Sequence, residues 1–279
     1  MLKENIQPLP IFLDVATAAA KKGGAVLKEF WGKQLAIAEK EYQGDLVTEA
    51  DKKAEKEILA VIRSDFADHA ILAEESGQLT QKESDYLWVI DPLDGTTNYA
   101  HGYPQSAVSI GLLIEGIPTV GVVYNPLSEE LWSAAKGHGA TLNQHSIQVS
   151  ETKELSKSLL VTGFAYDRRE TFDNNYAEFC YLTHLTQGVR RTGSAALDLV
   201  HVACGRFDGY WERGIKPWDI AAGIVILEEA GGKVSAYNGS KIDLNSGRIL
   251  ATNGKIHHLL SETLQKTPRL SDRFYRQLS

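Results

Sequence analysis

The sequence predicts a mixed α and β protein, in which an antiparallel sheet backed by two helices precedes an alternating α/β region. Three observations predict it. Two early segments carry apolar residues at helical spacing. From Leu87 to Val149 the pattern turns to short β-like runs joined by tight turns. Beyond about Ser158, strand and helix patterns alternate. At 279 residues the chain is longer than one typical core needs. A boundary near Ser150 is therefore expected, giving an N-terminal region 1–150 and a C-terminal region 151–279.

Residues Ile11 to Trp31 place Phe12, Val15, Ala19, Val26, Leu27 and Phe30 on one stripe, which predicts a first helix. In "GDLVTEADKKAEKEILAVIRSDF" the stripe is Ala54, Ile58, Val61 and Ile62, with Thr48 as N-cap and Asp51 in the first turn. The polar "GKQLAIAEKEYQG" between them reads as a hairpin or mobile loop. Strands follow at "YLWVI", "SAVSIGLLIEG", "IPTVGVVYNP", "LWSAAKG" and "SIQVS", separated by Gly-Ile-Pro, Asn-Pro-Leu-Ser and Gly-His-Gly. "SLLVTGF" at 158–164 opens the second region. Helices are expected there at 171–185, 194–204, 217–230 and 255–266, with strands around 188–191, 208–212, 233–236 and 249–252.

Composition narrows the function classes. A net charge of −7 without charge blocks repels phosphate backbones, so nucleic acid is not expected as a partner. Cys180 and Cys204 form no CxxC and read as reduced structural thiols. The amphipathic start, with Asp14 inside it, is unlike a signal peptide, and no run reaches the ~18 apolar residues of a membrane span. A cytoplasmic protein with no membrane partner is expected.

Five acids stand at element ends. Glu74 follows "AILA", Asp91 and Asp94 follow "LWVI", Asp219 opens the "IAAGIVILEEAGG" helix, and Asp51 opens the second helix. Each alone has a plainer reading: a helix cap for Asp51 or Asp219, a solvated turn for Glu74–Glu75, turn chemistry for Asp-Pro-Leu-Asp-Gly. Together they suggest a shared cleft. Two carboxylates ~4–5 Å apart repel by roughly 3–4 kcal/mol at an effective dielectric near 20. Such a cluster takes up protons unless hard cations neutralise it. Oxygen ligands without a supporting His or Cys pattern select Mg²⁺, Mn²⁺ or Ca²⁺ over zinc. His257 and His258, on a polar C-terminal helix, are expected to be solvated. "GTTN" would start a helix whose free N–H groups face the acids, a place for a phosphate, with Thr96 able to aim a water at phosphorus.

"WVIDPLDGTTNYAH" and "WDIAAGIVILEEAGG" together resemble the two signatures of the inositol monophosphatase family of Mg²⁺-dependent, lithium-sensitive phosphatases. "DLVTEAD", "LAEES", "GVVYNP", "KGHGA" and "RRTGSAALDLVHVACGRFDGYWERG" match in order, so that the resemblance spans roughly residues 10 to 268. It implies an αβαβα sandwich, with an antiparallel sheet in the first half and a mixed sheet in the second, in a protein that is commonly a homodimer. It implies two to three Mg²⁺ ions, with Mn²⁺ as a substitute. Glu74, Asp91 and the Leu93 carbonyl would hold the first ion, Asp91, Asp94 and Asp219 the second, and Glu74 a weaker third. Asp51 and Thr96 resemble the dyad that orients the attacking water and, with Glu74, make up the catalytic set.

The substrate side is implied in the same way. Gly95 and Thr96 would meet phosphate oxygens, while Glu212, Gly193, Ser194 and Ala195, next to Asp94 and Asp219, would line the polyol side. Lys40 lies on the loop that approaches the metal site in relatives. The implied activity is hydrolysis of inositol monophosphates, a small phosphorylated polyol, by metal-activated water. Rivals with the same chemistry are fructose 1,6-bisphosphate and histidinol phosphate; a 3′-phosphoadenosine nucleotide would call for longer insertions. A rival of another class is a regulatory binding protein that has kept the fold, as some bacterial relatives bind transcription machinery. The segment "PRLSDRFYRQLS" after Thr267 has no place in the family pattern.

Overall fold

The computed structural model describes residues 8–34, 36–79, 84–268 and 270. Helix α1 (Leu9–Phe30) starts on a proline within its first turn, and α2 (Glu49–Asp65) starts on a capping box between Thr48 and Asp51. Between them β1 (Ile37–Glu39) pairs antiparallel with β2 (Leu46–Thr48), so the polar stretch is a hairpin. The large sheet contains β3 (Ala70–Ala73), β4 (Gly77–Gln78), β5 (Tyr86–Asp94), β6 (Ala107–Ile114), β7 (Ile117–Asn125), β8 (Glu130–Ala135), β9 (Ala140–Leu142) and β10 (His145–Ser146). Their order is β10-β9-β8-β7-β6-β5-β3-β4, antiparallel throughout except for the β3–β5 pair. A short helix α3 (Thr96–Ala100) follows β5.

The second sheet runs β12-β11-β13-β15-β14, from β11 (Leu159–Thr162), β12 (Gly188–Arg190), β13 (Gly209–Arg213), β14 (Lys233–Ser235) and β15 (Arg248–Thr252). β11 lies parallel to β12 and β13, and the other pairs are antiparallel, so this sheet is mixed. Its helices are α4 (Tyr176–Leu185), α5 (Ala195–Ala203), α6 (Pro217–Glu229) and α7 (His257–Lys266). α1 and α2 cover one face of the large sheet, α5 and α6 fill the space between the sheets, and α4 and α7 cover the far face of the second sheet. That is the five-layer αβαβα sandwich.

Each layer boundary is apolar. Phe12, Leu27, Ile58, Ile62, Trp88 and Ile110 join α1 and α2 to the large sheet. Leu199, Val200, Ala222, Ile226 and Ile249 join the middle helices to both sheets. Residues 220–227 of α6 are all buried, because a helix between two sheets has no solvent face, hence its unbroken "IAAGIVIL". The approach is close: a Cβ on Gly121 of β7 would lie 2.3 Å from the Ala222 carbonyl oxygen.

Three expectations need correction. The run "SIQVS" is strand only at Ser146; Val149 instead donates its N–H to the Ala230 carbonyl at the end of α6, which takes it off the ladder. The helix expected from 171 begins at Tyr176, since Asn175 adopts φ 70° and its side chain bonds Thr162, the Gly163 carbonyl and the Trp211 ring N–H. His257 is buried rather than solvated. Its two ring nitrogens meet the hydroxyls of Ser235 and Thr252, and burial lowers its pKa to about 4. His258 is exposed, as expected. Of the tail after Thr267, Arg269 and residues 271–279 lie outside the described residues.

Candidate active site

Residues three apart on a regular strand point to opposite faces, so Asp91 and Asp94 should not meet. A bulge reconciles them. Asp91 pairs with Ser109 and Asp94 with Ala107, so β5 carries one more residue than β6 across this stretch. Pro92 falls within the irregularity, where a missing N–H costs no ladder bond. Both carboxylates therefore line one cavity, together with Glu74 and Asp219. Glu74 continues β3 by donating its N–H to the Ile90 carbonyl, and Asp219 sits in the first turn of α6.

Asp51 is fully buried at the start of α2. Its Oδ2 accepts the N–H and hydroxyl of Thr48 at 2.9 and 2.5 Å, which leaves Oδ1 to accept from the Thr96 hydroxyl at 3.1 Å. The same hydroxyl reaches the Leu93 carbonyl at 3.0 Å, so two acceptors compete for one proton. Gly95 enters α3 at φ 91°, and a Cβ there would meet the Gln105 carbonyl at 2.8 Å. Only glycine fits this corner.

Around the acids, protein donors hold individual oxygens. Asp91 accepts from the Leu93 N–H at 2.9 Å. Asp94 Oδ2 accepts from the Ser194 hydroxyl and Ala196 N–H at 2.5 and 2.7 Å. Asp219 Oδ2 accepts from the Lys216 N–H at 2.6 Å. Lys40 donates to Glu74 and Glu75 at 2.7 and 2.6 Å.

The remaining charge is unfavourable. Burial pushes Asp91 well above the ordinary carboxylate range, and Glu74, Asp94 and Asp219 push it further. Burial likewise raises Asp219, with Asp94 and Glu74 adding to it. Asp94 reaches about 6 by burial despite its Ser194 and Ala196 donors. Burial also raises Glu74 although Lys40 opposes it; on Lys40 itself the two glutamates outweigh burial and strengthen the ammonium.

Among the described residues no three Asp, Glu, His or Cys side chains close around a single point as a finished ion shell. The donor set nevertheless suits hard dications: several anionic oxygens in one cavity, each aligned by a backbone or side-chain donor and each destabilised as a bare anion.

Glu212 closes the cavity from β13. Gly163 makes room for it, since a Cβ there would lie 2.1 Å from Glu212 Oε1. The Tyr210 hydroxyl donates to Glu212 at 2.7 Å, but burial prevails and lifts Glu212 to about 7. Gly193, Ser194 and Ala195 line the same cavity at the start of α5. Every residue expected at the site from sequence thus borders it except Asp51, which reaches it through Thr96, and Lys40, which reaches it through Glu74.

The sequence profile of the inositol monophosphatase family matches residues 11–269. The chain belongs to the inositol monophosphatase family. A relative named inositol-1-monophosphatase, from Synechocystis sp., is 66% identical over 94% of this chain and 91% of its own length. A protein of Escherichia coli (strain K12) named Nus factor SuhB is 40% identical, covering 88% of this chain and 92% of its own. The structure of an inositol monophosphatase from Anabaena (Nostoc) sp. superposes with a TM-score of 0.87 at 61% identity, covering 94% and 98% of the two chains.

The structure brings out contacts at the site that the sequence did not disclose. Ser194 appeared only as part of the polyol side, yet its hydroxyl is engaged by Asp94. Tyr166 and Arg191 also border the cavity. Arg191 stands inside the recognised "RRTGSAALD" run, whereas nothing in "GFAYDRRE" marks Tyr166 as facing it.

Proposed function

We propose that this protein is a Mg²⁺-dependent phosphomonoesterase that hydrolyses inositol monophosphates to myo-inositol and phosphate. The observation that carries the proposal is the meeting of Glu74, Asp91, Asp94 and Asp219, from three places in the chain, beside the Asp51–Thr96 pair and the entry to α3. The name of the 66%-identical relative supports the substrate class. Glu74, Asp91 and the Leu93 carbonyl would hold one ion, Asp91, Asp94 and Asp219 a second, and Glu74 a weaker third, with Mn²⁺ able to replace Mg²⁺. When bound, the ions supply positive charge to the phosphoryl oxygens and a more acidic water.

The chain's own residues do the rest. Gly95 and Thr96 present N–H groups to phosphate oxygens. Asp51 accepts the Thr96 hydrogen bond, so that a Thr96 lone pair turns to the attacking water and fixes its line to phosphorus. The water oxygen bonds to phosphorus as the ester P–O bond breaks; one of the water's protons ends on the departing polyol oxygen and the other stays with the phosphate. Glu212, with Gly193 and Ala195, receives the polyol hydroxyls, and Ser194 holds Asp94 in place. Uncatalysed phosphomonoester hydrolysis is so slow that the site must lower the barrier by ~20 kcal/mol, which positioning and concentrated charge can supply.

Turnover of inositol 1-phosphate beside fructose 1,6-bisphosphate and histidinol phosphate, with Mg²⁺, tests the substrate. A clear preference for inositol 1-phosphate is expected; a preference for either rival reassigns the substrate while keeping the chemistry. Loss of activity in tens of millimolar Li⁺ is also expected. We further propose a homodimer working in the cytoplasm, with regions 1–150 and 151–279 completing the site together; sedimentation equilibrium tests the dimer. The 40% identity to a Nus factor SuhB supports a second, binding role beside catalysis, which co-purification with transcription machinery from native cells would test.

A further inference from the structure

The turn that carries Glu74 is thinly held by its own sheet. Residues 74–76 close a hairpin between β3 and β4, with Gly77 at φ 67°, and β4 is a two-residue edge strand. A buried acid from α2 supplies a further hold. Glu55 is 3% exposed and lies one helical turn beyond Asp51, on the stripe it shares with Ala54, Ile58 and Ile62. Its Oε2 accepts the Glu75 N–H at 3.0 Å, and its Oε1 accepts the Ser76 hydroxyl. Both oxygens are engaged by the turn. A buried carboxylate on an apolar helix face is costly unless hydrogen-bonded, and an aliphatic residue would pack there at less cost. The core therefore gives no reason for a glutamate at this position, while the turn gives two.

We infer that Glu55 is a positioning residue for Glu74: through the Glu75 N–H and the Ser76 hydroxyl it fixes the 74–76 turn, so that the Glu74 carboxylate is presented to the cation site beside Asp91. Lys40 grips the side chains of Glu74 and Glu75, whereas Glu55 grips the backbone beneath them. Because α2 also carries Asp51, one rigid helix sets the spacing between the Thr96 hydroxyl and the Glu74 turn. The inference rests on the reading of Glu74 and Asp91 as Mg²⁺ ligands.

Mn²⁺ binding to the full-length protein, read from the electron paramagnetic resonance of free Mn²⁺, tests it without recourse to activity. Glu55→Gln keeps the size and loses one acceptor, so the dissociation constant should rise roughly tenfold, with a smaller rise in Ser76→Ala. At saturating Mg²⁺ the Glu55→Gln enzyme should keep kcat within about threefold and an unchanged substrate KM. Wild-type Mn²⁺ affinity in a folded Glu55→Gln protein, whatever its Tm, would overturn the inference and leave Glu55 a structural residue. Should Glu55→Gln fail to fold, wild-type affinity in Ser76→Ala overturns it equally. If the wild-type protein binds no Mn²⁺, the reading of the whole site fails as well; if it binds Mn²⁺ and both variants bind equally, only the role of Glu55 fails.

Discussion

The Thr96 hydroxyl stands 3.1 Å from Asp51 Oδ1, joining two residues 45 positions apart. The contact depends on Asp51 being held twice over by Thr48, once through the N–H and once through the hydroxyl, so that a capping box doubles as a rigid mount for the second oxygen. Burial lifts Asp51 to about 6 in spite of these bonds. An acid so placed is a good hydrogen-bond acceptor for one hydroxyl and a poor group to leave without a donor.

Thr96→Ala should therefore act on rate. Thr96 does not cap α3, whose N-cap is Gly95, and among the described residues its hydroxyl donates toward Leu93 and Asp51. On the proposed water-orienting role, loss of the hydroxyl should lower kcat on the order of 10²–10⁴-fold, with KM and Mg²⁺ dependence little changed. Adding Asp51→Asn should cost far less than the product of the single losses, because the pair acts as a unit. Steady-state kinetics of the three variants decide this; a normal kcat with a lowered Tm would mark Thr96 as structural.

Glu212→Gln separates binding from stability. KM for an inositol phosphate should rise more than the Mg²⁺ requirement does. The folded-state pKa of about 7 lies above the unfolded value, so as pH rises from about 4.5 to 7 the unfolded chain gives up its proton first and the fold is progressively weakened. The amide avoids that loss. Without added metal, its Tm should match the wild type near pH 4.5 and exceed it by a few °C at pH 8. An equal Tm at both pH values would show that the Glu212 carboxylate is not strained by burial.

Gly121→Ala tests the link between packing and site. A Cβ at 121 would press on the Ala222 carbonyl at 2.3 Å, and relief must shift α6, which carries Asp219 three residues away. About 1–3 kcal/mol of stability should be lost, as in other overpacked cores. kcat should fall with it, read by thermal melts beside kinetics; a fall in Tm with unaltered kcat would show that Asp219 tolerates the shift.

Sequence patterns disclosed the elements that obey a period and the acids that end them. α6 was legible because two flanking sheets require an unbroken apolar helix, and Thr48–Asp51 because a capping box is local. What depends on distant partners was hidden. The β5 bulge that brings Asp91 and Asp94 to one side is a property of pairing with β6. Val149 donates its N–H to the Ala230 carbonyl just past α6, and His257 turns inward because hydroxyls on β14 and β15 await both of its nitrogens. The Ser194 hydroxyl donates to Asp94, 100 residues earlier, a contact that no local pattern marks.

We propose that the carboxylates gather cations for phosphate-ester hydrolysis, and Asp91 faces the charge of the other three. The most direct measurement is phosphate release from inositol 1-phosphate as Mg²⁺ is titrated into metal-free wild type and metal-free Asp91→Asn. No turnover is expected without metal, with saturable activation in the wild type and a loss of several orders of magnitude in a folded Asp91→Asn protein. Turnover in the absence of metal, or near-normal activity in Asp91→Asn, would contradict it.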